Sequence, residues 1–390
     1  MALSITQTPT QLSLAQSPTI FTQYESDANL RASSSFQYIA ELYYWTGSLT
    51  ESGSTPNYTL QKYPNPSGRG IFDVSRILGS TFTQLRAEDS ASVKHFAIDS
   101  YVQYKTNPTS SFETGSHTKS GTYQAIDGYK IFQETIASEV GTNNVYWPMM
   151  TDGPVSQSFF DGNYGRLSIY LGEGADDSVT QLIYSGNIDD NNFAVTSGQT
   201  NTSSSVVTFP ITPNESDFPI ADDNTHFSIQ AFNGGTSVSD KIFFTNECTK
   251  KYPNIRIKWK NRYGQFDYFN FNLVSKESMN SKRSRYQPQI GSWGGSSLSY
   301  EKYESSIQNY IVDSTLKLSV NTDYVSEDYN DIFKEFMVSE EIYWVYDEVN
   351  DFVKPLALDT SRFNIKTNVV DKLIQYQFDF TQGQGYKLIF

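Results

Sequence analysis

Apolar and polar residues alternate with a period of two in one segment of this chain after another, whereas helical periodicity is scarce. In TLKLSV, for example, Leu316, Leu318 and Val320 share one face and polar residues occupy the other. The segments RLSIYLG, IRIKW and LIQYQFDF repeat the pattern. Because successive side chains of a strand point to opposite faces, such alternation is typical of sheets with one buried face. The sequence therefore predicts a mainly β protein, built of antiparallel sandwich or barrel-like domains with one or two short helices.

Two segments predict those helices. SEDYNDIFKEFMVS predicts a helix over residues 326–339, with Ser326 as its N-cap. The residues that share its apolar stripe at helical spacing are Tyr329, Ile332, Phe333, Phe336 and Met337. FDVSRILGS predicts a shorter helix that ends at Gly79.

Composition changes along the chain and predicts three domains. Aromatic residues reach 15% of the sequence, and rings of this kind favour pleated, half-buried surfaces. Residues 166–250 are instead rich in Ser, Thr, Asn, Asp and Gly between short apolar runs. We therefore expect an N-terminal β domain over 1–165, a loop-rich β insert over 166–250, and a C-terminal β domain over 251–390 that contains the helix near 326–339.

The charge balance is unfavourable for nucleic-acid binding. The chain has 29 basic and 43 acidic residues, which gives a net charge of −14. Because nucleic-acid affinity is carried largely by Lys and Arg, we expect no specific nucleic-acid partner. The densest basic cluster is SKRSR, with Lys282, Arg283 and Arg285, and we interpret it as a solvated surface loop. Contact with an acidic partner is the alternative.

A single cysteine, Cys248, excludes an intramolecular disulfide within this sequence. The N-terminal residues lack the basic region and the continuous apolar core of a signal peptide. No window reaches the ~18 apolar residues of a membrane-spanning helix. We expect a soluble protein that is made in a reducing cytosol.

Candidate catalytic and metal-binding groups are few. The histidines His95, His117 and His226 fall in different segments. Lys250 and Lys251 lie close to Cys248 and could lower the pKa of its thiol, but we interpret this cysteine as a packed side chain and not as a reactive one. NIDDNN (187–192) and IADDNTH (220–226) offer oxygen ligands, but their spacing does not match a calcium loop, and hairpin turns explain both. We therefore expect no cofactor, no metal and no enzymatic activity.

Three tryptophans lie near turns: Trp45, Trp147 and Trp293. Exposed rings on β loops can stack on sugars, so these residues are candidates for a carbohydrate-binding surface. The alternative is that these rings cover core edges or subunit contacts. The sequence leaves both interpretations open.

The stretch IRIKWKNRYGQFDYFNFNL (255–273) is dense in rings and amides. It predicts two strands joined by a tight turn at residues 261–264, with Gly264 at positive φ. We expect Arg262 and Asp267 to pair across this hairpin and to brace the turn. The residues to which we assign a hairpin or assembly role are Trp259, Arg262, Gly264, Phe266, Asp267, Phe269 and Phe271. The strand-like C-terminus GYKLIF is expected to pair with a neighbouring strand, of this subunit or of another.

Several motifs together resemble a group of structural proteins of tailed phages, including phages of Bacteroidetes and marine bacteria. They are MALSITQTPTQLSLAQSPTIFTQYES, LQKYPNPSGRGIFDVSRIL, the pattern W-x-N-R-x-G-x-F-D-x-F-x-F from Trp259 to Phe271, and STLKLSVNTDYVSEDYNDIFKEFMVSEEIYWVYD. The resemblance covers the two ends of the chain, 1–73 and 252–390. The middle resembles no family we can name.

This resemblance implies a non-enzymatic virion protein, in particular a ring-forming component of a tail, neck or baseplate. Such a protein is made in the host cytoplasm, is localised in the virion tail, and has itself and other virion proteins as partners, without a membrane. Two alternatives stay open. One is a receptor-binding or carbohydrate-binding virion protein that contacts a host surface glycan. The other is a hydrolase of cell-surface polymers, which predicts a cleft with two carboxylates ~5 to 9.5 Å apart.

Overall fold

The computed structural model describes residues 3–47, 54–82, 93–130, 146–147, 150–160, 165–171, 180–186, 193–196, 205–211, 226–233, 236–237, 239–247, 251–292, 294–299, 301–347, 352–367, 373–383 and 386–389. Strands account for 51% and helices for 8% of the structure, which confirms the mainly β class. The sheets in these ranges are open and form sandwich-like domains, so the barrel-like alternative is set aside. None of the helices in these ranges is long and apolar enough to span a membrane.

The chain divides into two compact units. The first comprises Met1–Glu247 together with Lys260–Asp267, and the second comprises Cys248–Trp259 together with Tyr268–Phe390. The division at 1–165, 166–250 and 251–390 stays a prediction.

The first unit begins with two packed sheets. Their strands are β1 (Leu3–Gln7), β2 (Leu12–Leu14), β3 (Ile20–Glu25), β4 (Ser34–Trp45), β5 (Tyr58–Lys62), β6 (Arg69–Asp73), β7 (Lys94–Lys105), β8 (Glu113–Thr114), β9 (Thr118–Lys119) and β10 (Tyr123–Ile126). One sheet has the order β1-β3-β6, and the other has the order β2-β10-β7-β4-β5 with β8 and β9 also on β7. The pairing of β2 with β10 is parallel, unlike the antiparallel pairing that the sequence predicts.

A shared core lies between these two sheets. It joins Phe21 and Phe72 of the smaller sheet to Phe96 of the larger one, and Phe21 meets Phe96 edge to face at 6.2 Å. Two short helices accompany the sheets: α1 (Ala28–Arg31), which we did not predict, and α2 (Ser75–Thr81). The predicted end of α2 at Gly79 is wrong by two residues, because the helix continues to Thr81 and only Phe82 is extended.

A second group of strands completes the first unit: β11 (Tyr146–Trp147), β12 (Ser156–Phe160), β13 (Arg166–Leu171), β14 (Thr180–Gly186), β15 (Phe193–Thr196), β16 (Ser205–Pro210), β17 (His226–Asn233), β18 (Thr236–Ser237) and β19 (Ile242–Glu247). They form one sheet of order β11-β13-β16 and another of order β12-β19-β17-β14-β15, with β18 on β17. A small core of buried side chains joins this group to the first sandwich, and Leu14, Ile126, Met150 and Tyr170 are among its members.

The second unit is built on one large sheet. Its strands are β20 (Ile255–Lys260), β21 (Phe266–Phe271), β22 (Lys276–Tyr286), β23 (Gln308–Asn321), β24 (Ile342–Asp347), β25 (Phe352–Leu358), β26 (Gln377–Gln382) and β27 (Tyr386–Ile389). The order is β21-β20-β24-β25-β26-β23-β22, with β27 also on β23.

Helix α3 (Tyr329–Val338) packs on this sheet with the predicted apolar stripe. Phe336 meets Phe378 of β26 at 4.9 Å, and both rings are fully buried. The predicted N-cap is wrong. Asp328 occupies that position, while the Ser326 hydroxyl donates to the Asp328 carboxylate at 3.3 Å. The predicted helix, 326–339, therefore begins three residues before the observed one.

Candidate assembly site

The predicted hairpin exists, with β20 and β21 as its strands. Its turn is closed by two backbone hydrogen bonds, from Asn261 N–H to Gln265 O at 2.7 Å and from Gly264 N–H to Asn261 O at 3.0 Å. The side-chain oxygen of Asn261 also accepts from the backbone N–H groups of Tyr263 and Gln265, each at 3.0 Å. One asparagine therefore holds the whole turn in place.

Gly264 has φ +75°, as predicted. A second reason for glycine at this position is close packing, because a Cβ there would lie 1.8 Å from the carbonyl oxygen of Asp127. No side chain fits at that distance, so the approach of residues 127 and 264 requires a glycine.

Three aromatic residues of the hairpin strands belong to the core of the second unit. Trp259 meets Phe336 at 4.9 Å, Phe269 meets Phe333 at 5.0 Å, and Phe271 meets Phe378. Trp259 and Phe271 are fully buried. The expectation that only one side of β20 is buried is too simple, since all six residues of that strand are buried.

The predicted pair between Arg262 and Asp267 is wrong. Arg262 instead forms an ion pair with Asp152, with Nε 2.5 Å from Oδ2 and Nη2 3.0 Å from Oδ1. Tyr263 Oη donates to the same carboxylate at 3.0 Å. Both Arg262 and Asp267 are buried, so the pairing of Arg262 is part of the interior of the first unit and not a brace on its surface.

Asp267 accepts hydrogen bonds from Thr151 Oγ1 at 2.6 Å and from Asn261 Nδ2 at 3.1 Å. Burial raises the pKa of its carboxyl to about 7, although these two hydrogen bonds oppose the shift. The negative charge of Asp152 raises this pKa further. A buried carboxyl with these partners is held as a structural hydrogen-bond acceptor.

A third buried contact links Lys260 to Asp127, with Nζ 2.6 Å from Oδ2. Gln16 Nε2 donates to the other oxygen of Asp127 at 3.1 Å. Sequence reasoning missed Lys260, Asp127, Thr151 and Asp152, because more than 100 residues separate each partner from the hairpin. The segment 260–267 is thus a buried structural element whose charged side chains are paired or hydrogen-bonded within the first unit.

Among the three tryptophans considered for sugar stacking, only Trp45 has a described side chain. It is 8% exposed and stacks on His95 at 6.0 Å, so it covers the core and cannot form an exposed sugar platform. The side chain of Trp147 lies outside the described residues, as do Trp293, Cys248, all of NIDDNN and all of IADDNTH except His226.

Two carboxylates, Glu41 and Asp99, are register partners across β4 and β7. Glu41 accepts from Tyr43 Oη and from Tyr101 Oη, each at 3.2 Å, and His117 Nδ1 lies 3.0 Å from Asp99 Oδ2. These contacts fit a cross-strand polar network. No three metal-ligating side chains converge on one point within the described ranges.

The SKRSR segment corrects another prediction. It is not a loop but part of strand β22, which pairs with β23 over its whole length. Every residue of β22 except Ser284 is exposed, and Ser284 is half-buried. In the described part of the chain β22 pairs with β23 alone, so its outer edge offers free backbone N–H and C=O groups.

We call β22 and the paired residues 308–313 of β23 the arm. It carries the exposed cations Lys282, Arg283 and Arg285, and also exposed rings. Tyr286 and Tyr310 meet edge to face at 6.3 Å while each remains more than 40% exposed. Sequence reasoning missed this strand because its residues are almost all polar, so it has no apolar face that a search for alternation would detect.

The C-terminal strand β27 pairs with β23 of the same chain, in the register Ile311↔Ile389 to Ser314↔Tyr386. The version of our expectation in which this strand pairs with another subunit stays a prediction. Pairing with a neighbouring strand is confirmed, within one chain.

No family model and no curated protein matches this chain. Among solved structures, it is similar to the ectodomain of the polymeric Ig receptor of a teleost fish, with 10% identity, 61% of this chain and 96% of that chain covered, and a TM-score of 0.20. It is also similar to the D1-D4 ectodomain fragment of ICAM-5, with 8% identity, 83% and 71% coverage, and a TM-score of 0.21. A third is an alpha-2-macroglobulin of Salmonella, with 8% identity, 100% and 34% coverage, and a TM-score of 0.20. Likenesses at this level carry no argument about function.

Proposed function

We propose that this protein is a non-enzymatic virion structural component, and specifically a ring-forming part of a bacteriophage tail, neck or baseplate. Its partners are further copies of itself and other virion proteins. The motifs at the two ends of the chain resemble those of tailed-phage structural proteins, and the exposed arm is the structural observation that supports an assembly role.

The arm supports assembly because most of its side chains are exposed and, among the described strands, β22 is paired along one edge only. Long exposed edge strands also tend to pair with other chains unless they are covered. Contact with a neighbouring molecule would bury Tyr286, Tyr310 and Met279, which are 48%, 44% and 53% exposed. Tyrosine is enriched in interfaces because it combines apolar area with a hydroxyl group.

The experiment is to purify the protein, measure its mass by sedimentation velocity over a wide concentration range, and image it by negative-stain electron microscopy. We expect closed rings with a central channel. A protein that stays monomeric at every concentration would contradict the proposal. Glycan-array binding by a monomeric protein would favour the receptor-binding alternative.

A further inference from the structure

Two surfaces of opposite charge occur in the second unit. The basic surface is formed by Lys282, Arg283 and Arg285 on the arm, where exposed Asp313, in register with Lys282, leaves a net charge of +2. The acidic surface lies around α3, where Glu327, Asp328 and Asp331 precede or begin the helix and Glu340 follows it. All of these charged side chains are exposed, and Lys334, which pairs with Asp331 at 2.6 Å, is the one cation within this stretch of the chain.

Exposed apolar groups accompany each surface. Tyr286 and Tyr310 lie on the arm beside the cations. Tyr324 and Val338 flank the acidic surface and are 58% and 61% exposed. Each surface therefore combines charge, which gives specificity, with apolar area, which gives affinity when it is buried.

The two surfaces are separated along β23. The cations pair in register with residues 309–313 of that strand, and the chain leaves β23 at Asn321 before it reaches the acidic surface. At ~3.3 Å per residue, the strand from Val312 to Asn321 spans ~30 Å. This exceeds the screening length of ~8 Å at physiological salt, so Glu327 and Asp328, which precede α3, do not neutralise the arm cations of the same copy.

Resting on the proposed function, we propose that the basic surface of one copy docks on the acidic surface of a second copy. Because the contact uses two different surfaces, every docked copy keeps one surface of each kind free. Such a heterologous contact propagates from copy to copy and closes into a ring if the rotation allows it. Symmetric pairing of two β22 edges would instead bring two basic surfaces together, which like-charge repulsion disfavours.

The test uses two charge-reversal variants and a matched control. The basic-reversed variant carries Lys282→Glu, Arg283→Glu and Arg285→Glu. The acid-reversed variant carries Asp328→Lys, Asp331→Lys and Glu340→Lys. The control carries Lys62→Glu, Arg76→Glu and Lys251→Glu, which are three exposed cations that belong to neither surface.

Assembly is measured by sedimentation velocity for each variant alone and for the two reversed variants mixed in equal amounts. We expect each reversed variant alone to need at least tenfold more protein to assemble, whereas the control assembles like the wild type. The mixture should associate at the protein concentration of the wild type, with the two variants alternating, because the acidic arm of one variant then meets the basic helix surface of the other. Recovery on mixing also shows that both variants are folded.

If the wild type forms rings and both reversed variants form them equally well, this inference is overturned while the proposed function stands. If each variant fails alone and the mixture also fails, charge complementarity is not the basis of the contact and the inference is again overturned. A wild type that is monomeric throughout overturns the ring-forming function together with the inference.

Discussion

The buried carboxyl of Asp267 should make the stability of this protein fall as pH rises toward neutrality. Its pKa is about 7 in the folded protein against an ordinary value of 3.8. Below pH 3.8 the group is protonated in both states; between 3.8 and about 7 the unfolded chain ionises while the folded protein keeps its proton. Each pH unit in this window removes ~1.36 kcal/mol, so the full effect is about 4 kcal/mol.

Replacing this residue by asparagine, Asp267→Asn, removes the titration and keeps the size of the side chain. Its amide loses part of the hydrogen bonding to Asn261, but that cost does not depend on pH. We therefore expect the stability of the wild type, relative to the variant, to fall by about 2 kcal/mol between pH 5 and pH 7. Chemical denaturation followed by tryptophan fluorescence at several pH values measures this difference.

The control is Asp331→Asn, since the side chain of Asp331 is 74% exposed. That variant should follow the pH dependence of the wild type. A difference between the wild type and Asp267→Asn that stays constant with pH, or that changes in favour of the wild type as pH rises, would refute the reasoning about burial.

Three further predictions concern packing and pairing. Gly264→Ala should destabilise the fold by more than the ~1–2 kcal/mol that an alanine costs in a left-handed conformation, because its Cβ would also overlap the Asp127 carbonyl. The control is Gly294→Ala, which has open space around it and should change stability by less than ~0.5 kcal/mol in the same denaturation assay. Lys260→Met should lower the free energy of unfolding by about 3–5 kcal/mol, because it leaves the Asp127 carboxylate buried without its ion-pair partner. The double variant Lys260→Met with Asp127→Leu should recover part of that loss. Equal losses in the single and the double variant would contradict a stabilising ion pair. Deletion of β27 should lower the denaturation midpoint but leave the oligomer mass unchanged, because this strand pairs within one chain; a change of mass would contradict that assignment.

The local features of the fold could be predicted from the sequence because their causes are local. The apolar stripe of α3 and the turn at Asn261–Gly264 each depend on residues a few positions apart. Alternation in β23 places Leu318 and Val320 in the core, as the pattern indicates. The ends of helices are harder to predict, because neighbouring residues such as Ser326 and Asp328 are both suited to the N-cap position.

The partners of the hairpin could not be predicted, because its sequence has no information on what lies against it. Arg262 has an acid five positions away in Asp267, yet it pairs with Asp152, which lies 110 residues earlier in the chain. Strand β22 was missed for a different reason. Strands are usually detected by an apolar face, and β22 has none because it is covered on neither side.

The membership of Lys260–Asp267 in the first unit has a consequence for the biosynthesis of the protein. Asp127 is synthesised 133 residues before Lys260, and at ~5–20 residues per second this interval is about 7 to 27 s. During it, the nascent first unit has the carboxylates of Asp127 and Asp152 without the cations that pair with them in the finished fold. The N-terminal part of this protein can therefore complete its interior only when the hairpin segment has been translated, so maturation of the first unit is timed by synthesis of the second half of the chain.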